Sequence, residues 1–143
     1  MTPETGIHVD TTHWPLVVKR SGKAFQVEDM ARYLKDLDVL LARKSPFSCI
    51  IVVKERGPLD RKIVPMYGDF VKARSAAMKE FYLGAAFVFP GDIFRFILST
   101  ILVAAPAPVP HAVFGNAEEA ALWALDKLRA RGVTPPAVNP ASL

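Results

Sequence analysis

The stretch AAFVFPGDIFRFILSTILVAAPAPVPHAVFGNAEEAALWALDKL, residues 85–128, decides how the rest of the chain is read. It opens with an unbroken apolar run bounded by Gly84 on one side and Pro90, Gly91 and Asp92 on the other, the mark of a short strand covered on both faces. Ile93, Phe94, Phe96, Ile97, Leu98, Ile101, Leu102 and Val103 follow, interrupted by the polar Arg95, Ser99 and Thr100. With Asp92 placed for the positive end of a helix dipole, residues 93–105 are expected to form a helix. A bilayer span needs about 20 apolar residues. This run is shorter, contains Arg95 and ends in prolines, so a transmembrane helix is not expected. It is still wider than the one-sided stripe of a surface helix, so more than a sheet must cover it. APAPVP then leads the chain back into HAVF, a last short strand. Asn116 offers an N-cap and Glu119 a capping-box carboxylate to a closing helix whose apolar face is Ala117, Ala121, Ala124, Leu125 and Leu128, with Gly132 as its stop.

Toward the N-terminus the same alternation recurs. Tyr67, Phe70, Val71, Arg74, Ala77, Met78 and Phe81 repeat at helical spacing and predict one helix near residues 63–81. Residues 47–53, FSCIIVV, form a second doubly covered strand, and the loop KERGPLD joins the two elements. Before it, Met30, Leu34, Leu37 and Leu41 predict a helix that Ser45 and Pro46 end. Residues 7–10 and 16–19 are short β-prone runs separated by TTHWP. The order ββαβαβαβα predicts an α/β domain: a mostly parallel sheet of about five strands flanked by about four helices, with the first strand as an antiparallel edge. The domain is expected over residues 6–132, with a loose, flexible, proline-rich tail over residues 133–143.

Composition sets the outer limits. The chain has 143 residues, enough for one ordinary domain with its own core. A single cysteine, Cys49, excludes a disulfide framework and is read as a small buried hydrophobe. A reducing cytoplasm is the simplest location, since residues 1–15 also lack the basic and apolar regions of a secretory signal. The net charge of +4 is spread along the chain with acidic residues interleaved, so a nucleic-acid role is not expected.

The element order, the PHAVF strand and the EEAALWAL helix resemble the SpoIIAA-like proteins, a branch of the STAS (anti-sigma-factor antagonist) fold that is also similar to CRAL-TRIO lipid-transfer domains. The resemblance covers roughly residues 6–128. It implies a small bacterial module that works by binding partners. In STAS antagonists a phosphorylatable Ser or Thr lies at the start of the helix after the central strand, where added phosphate acts strongly. The matching segment here, KERGPLDR, has no hydroxyl residue, and Ser75 lies deep in the predicted helix.

Two surfaces stand out as candidates. Phe94, Phe96, Leu98 and Leu102 on the third helix would supply an apolar contact for another protein or a second copy of this chain. Lys54, Arg56, Arg61 and Lys62 cluster between a strand end and a helix start, a place that suits a phosphate or carboxylate. His8, Asp10 and His13 are read as surface residues, because alternation along a strand scatters them. His111 has no nucleophile or orienting carboxylate paired with it in sequence, and no catalytic set, cofactor or metal is expected. Trp14 and Trp123 are read as packing anchors. The expectation is a non-enzymatic interaction or regulatory module in bacterial signalling or assembly. The alternative is a carrier of a lipid or small anionic ligand.

Overall fold

A computed structural model describes residues 6–22, 25–53, 60–89 and 108–143. Five strands form one sheet in the spatial order β1-β2-β3-β4-β5. They are β1 (Ile7–Asp10), β2 (Leu16–Ser21), β3 (Phe47–Val52), β4 (Tyr82–Val88) and β5 (His111–Phe114). β1 runs antiparallel to β2 as the edge strand, and β2 through β5 are parallel. The helices are α1 (Val27–Ala42), α2 (Ile63–Ala73), α3 (Ser75–Phe81) and α4 (Ala117–Ala130). The predicted third helix, residues 93–105, lies outside the described residues. No helix among the described residues is long and apolar enough to cross a membrane.

Two-residue alternation divides the sheet's side chains between two cores. Val17, Phe47, Cys49, Ile51, Tyr82 and Ala85 face α1, α2 and α3. Leu16, Val18, Ile50, Leu83, Ala86 and Val88 face α4. Successive parallel strands added in one direction with right-handed crossovers put α1 and the α2–α3 pair on the same side. α1 begins where the Gln26 backbone N–H donates to Asp29 Oδ2 at 2.8 Å, and it buries Met30, Tyr33, Leu37, Leu40 and Leu41. Leu34, predicted on the buried stripe, is only partly buried, and Tyr33 takes its place. α4 begins as predicted, with Asn116 Oδ1 accepting from the Glu119 N–H at 2.9 Å.

Three local expectations are corrected. The helix predicted over residues 63–81 is two helices, because Arg74 leaves the helical region at φ −118°, ψ 20°. Its guanidinium stacks 4.0 Å from the Phe70 ring and grips Asp38 of α1 with two nitrogens, Nη2 at 2.8 Å from Oδ2. Ser75 therefore opens α3 instead of lying deep in one long helix. Gly84 lies inside β4 and does not precede it. A Cβ there would come within 2.9 Å of the Trp123 ring, so glycine lets α4 settle onto the strand. Finally, the segment expected as a loose tail contributes Val133, Val138 and Leu143 to the α4-side core, with a short 3-10 turn, Pro140–Ser142, against α4. These apolar residues cover the flank of α4 that the sheet does not reach.

Candidate functional site

Of the residues singled out in the sequence, those that the structure describes lie on separate elements. Phe94, Phe96, Leu98 and Leu102 lie outside the described residues, as do Lys54 and Arg56. Arg61 and Lys62 are exposed just before α2, where the Lys62 N–H donates to Asp60 Oδ1 at 2.8 Å. His111 starts β5 opposite Ala85 and is partly buried. Asp10 accepts from the Thr12 N–H at 2.9 Å and lies 3.8 Å from Arg20. These hydrogen bonds to Thr12 are the main reason its carboxyl is held below the usual range. Trp14 anchors the α1-side core, with its ring centroid 5.4 Å from that of Phe47 and Arg43 stacked over it at 4.2 Å.

Two features emerge that sequence reasoning did not assemble. The first is a groove of about 490 Å³ between β1 and α1. One wall is the β1 strand itself, which among the described residues pairs only with β2. By ladder geometry, half of the β1 backbone N–H and C=O groups point away from β2. The other wall carries Arg32, Asp36, Val39, Leu40 and Arg43. Val39 is 61% exposed, an apolar side chain held at the rim by helix α1. Asp36 is the single carboxylate among the lining residues, against two arginines and His8.

The second is a buried polar cluster on the same side of the sheet. Lys19 is 0% exposed in the middle of β2. Its Nζ donates to Tyr33 Oη of α1 at 2.7 Å and to Tyr82 Oη of β4 at 3.1 Å. Among the described residues no carboxylate pairs with it. Cys49 of β3 is buried in the same layer as Tyr33 and Tyr82, near enough to Lys19 to feel its charge. Tyr67 of α2 completes the group, so all three tyrosines of the chain and its single cysteine surround one lysine. Burial pushes every one of these acids upward: Tyr67 to about 12, Tyr33 and Tyr82 further still, and the Cys49 thiol above its usual value although Lys19 pulls it back. A buried ammonium held by phenols alone keeps a desolvation cost that a carboxylate would have offset. The signal in the sequence was a lysine at an inward position of VVK in a doubly covered strand, with Tyr33 on the α1 stripe to receive it.

Superposition on solved structures places this architecture. The chain is similar to the crystal structure of an uncharacterized protein of the DUF3478 family with a SpoIIAA-like fold, from Shewanella loihica PV-4. The match has a TM-score of 0.67 and covers 87% of this chain and 98% of that one. The fold is SpoIIAA-like. At 14% identity the SpoIIAA-like match speaks to fold alone. No family model matches the sequence, and no curated protein does.

Proposed function

We propose that this SpoIIAA-like domain is a non-enzymatic interaction module that takes an extended, acidic and apolar segment of another protein along β1. The observation that carries the reading is the β1–α1 groove. An edge strand offers main-chain hydrogen bonds to an added strand, and pockets beside it read alternate side chains. Arg32 and Arg43 outnumber Asp36 in the lining, which favours acidic residues in the segment, and the exposed Val39 provides its apolar contact. The binding mode accords with the partner-binding role that the anti-sigma-factor antagonist resemblance implies. It needs no phosphorylatable hydroxyl after β3.

The test is amide-detected NMR of the isotope-labelled full chain with two capped peptides, one alternating Glu and Val and the other alternating Lys and Val. The Glu peptide should shift the amides of residues 7–11 and Val39, and Val39→Asp should abolish the effect. Equal shifts from both peptides, or shifts that miss β1, would remove the groove as the binding surface.

A further inference from the structure

The outer edge of β1, which among the described residues pairs only with β2, carries a main-chain pattern and a charge pattern that complement each other under a two-fold rotation. The Gly22 N–H donates to the Gly6 C=O at 2.8 Å, which makes these glycines a hydrogen-bonded pair of the antiparallel β1–β2 ladder. Alternation then turns the main-chain groups of His8 and Asp10 toward β2 and those of Ile7 and Val9 outward. The side chains divide in the same way. Ile7 and Val9 pack on the α1-side core, whereas His8 and Asp10 lie opposite Arg20 and Val18 on the α4 face. Asp10 accepts from the Thr12 N–H at 2.9 Å and lies 3.8 Å from Arg20, so its carboxylate is already fixed on that face, and His8 beside it is exposed.

We propose that β1 pairs antiparallel with β1 of a second copy, centred on Val9, and so keeps the groove closed until an acidic segment displaces it. This closed form, which rests on the reading of β1 as the binding edge, follows from register. A two-fold axis at Val9 sets Val9 opposite Val9, Ile7 opposite Thr11 and His8 opposite Asp10. The outward main-chain groups of Val9 then meet their equivalents. His8 and Asp10 form the non-hydrogen-bonded pairs, where side chains approach more closely, so each imidazole faces a carboxylate. A slip of one residue turns outward groups toward inward ones. A slip of two, in either direction, sets His8 against His8 or Asp10 against Asp10.

The pairing is weak by construction, which is what lets it yield. β1 has four residues, less than a stable interface needs by itself. The pairing strand of the second copy brings only Ile7, Val9 and Thr11 to the groove face, so Arg32 and Arg43 gain no carboxylate from it. An acidic segment supplies those carboxylates and competes for the same main-chain groups with that advantage. Self-pairing meanwhile covers an edge that would otherwise template unselective strand addition.

Sedimentation velocity of the full chain at rising concentration, without and with the two capped peptides, tests this. The wild-type chain should pass from monomer to dimer, and the Glu peptide, but not the Lys peptide, should return it to monomer. His8→Asp sets Asp against Asp and Asp10→His sets His against His, so each variant alone should dimerise about tenfold more weakly. Mixed in equal amounts, the two should recover the dimer, because each is complementary to the other. An isotope-filtered NOE between the His8 Hα of a labelled wild-type copy and the Asp10 Hα of an unlabelled one should appear, a readout that needs no variant. A chain that stays monomeric yet shows the Glu-peptide shifts at residues 7–11 would overturn the self-pairing and leave the groove as the binding surface. A dimer without that NOE, or one that neither variant weakens, would overturn it as well. A dimer that shows the NOE but ignores the Glu peptide would uphold the pairing and remove the acidic segment.

Discussion

Raising the pH should unfold this domain through its three tyrosines. Tyr67 illustrates the size of the effect: its phenol is pushed from 10.0 to about 12, first by desolvation and then by the neighbouring Tyr33. The unfolded chain releases that proton near pH 10, while the folded chain holds it to about pH 12. Above pH 10 the unfolded state therefore binds fewer protons, and stability falls by about 1.4 kcal/mol per pH unit for this one group. The contribution is fully present below pH 10, and about 3 kcal/mol of it has been lost by the time the pH passes the folded value. Tyr33 and Tyr82 are shifted in the same direction and more strongly, so the three together give a slope of about 4 kcal/mol per pH unit. Cys49 adds to it from a lower starting point, since a thiol in the unfolded chain loses its proton near 9.0. Against a typical total of about 5–15 kcal/mol, this slope unfolds the domain within a few pH units above 10. The assay is urea denaturation by circular dichroism at a series of alkaline pH values, with near-ultraviolet tyrosinate absorbance recorded in parallel. Phenolate should form together with unfolding, and Tyr67→Phe should flatten the slope by one proton's share. A pH-independent urea midpoint from about pH 9.5 to 11.5, or phenolates forming at an ordinary value in a chain that is still folded, would refute the reasoning.

Two further outcomes follow from packing and hydrogen bonding. Lys19→Met should destabilise by about 1–3 kcal/mol, because it leaves the Tyr33 and Tyr82 hydroxyls without a partner, and adding Tyr33→Phe and Tyr82→Phe should recover most of that loss in urea titrations. Gly84→Ala should lower stability by about 1–3 kcal/mol through the clash with Trp123 and Lys127, and Trp123→Leu in the same chain should relieve it; an unchanged thermal midpoint for Gly84→Ala would mean that α4 moves away freely.

Strand identity and direction were readable because apolar runs such as FSCIIVV and AAFVF carry their own evidence of double burial, and because alternation with helices dictates a parallel sheet. The α4 cap was equally local, needing only Asn116 and Glu119 three residues apart. The break at Arg74 was not readable, since it depends on Asp38 from α1, 36 residues earlier in the chain. Gly84 misled for a related reason. A glycine in an apolar run marks either a boundary or a close approach, and Trp123 that chooses between them lies far along the sequence. The Lys19 cluster draws one member from each of β2, α1, β3, α2 and β4. Each residue alone reads as ordinary: a strand-end lysine, a core cysteine and amphipathic tyrosines. The groove is likewise formed by a strand and a helix whose sequence patterns describe what they bury and not what they leave open.

The partition of side chains between the two faces of the sheet has a spectroscopic consequence. All three tyrosines and Trp14 belong to the layer under α1, α2 and α3, whereas Trp123 belongs to the layer under α4. A chain in which Trp14 is replaced by Phe therefore carries one indole that reports on a single layer, with phenols that report on the other. Opening of either layer can be timed against the other in the unlabelled molecule.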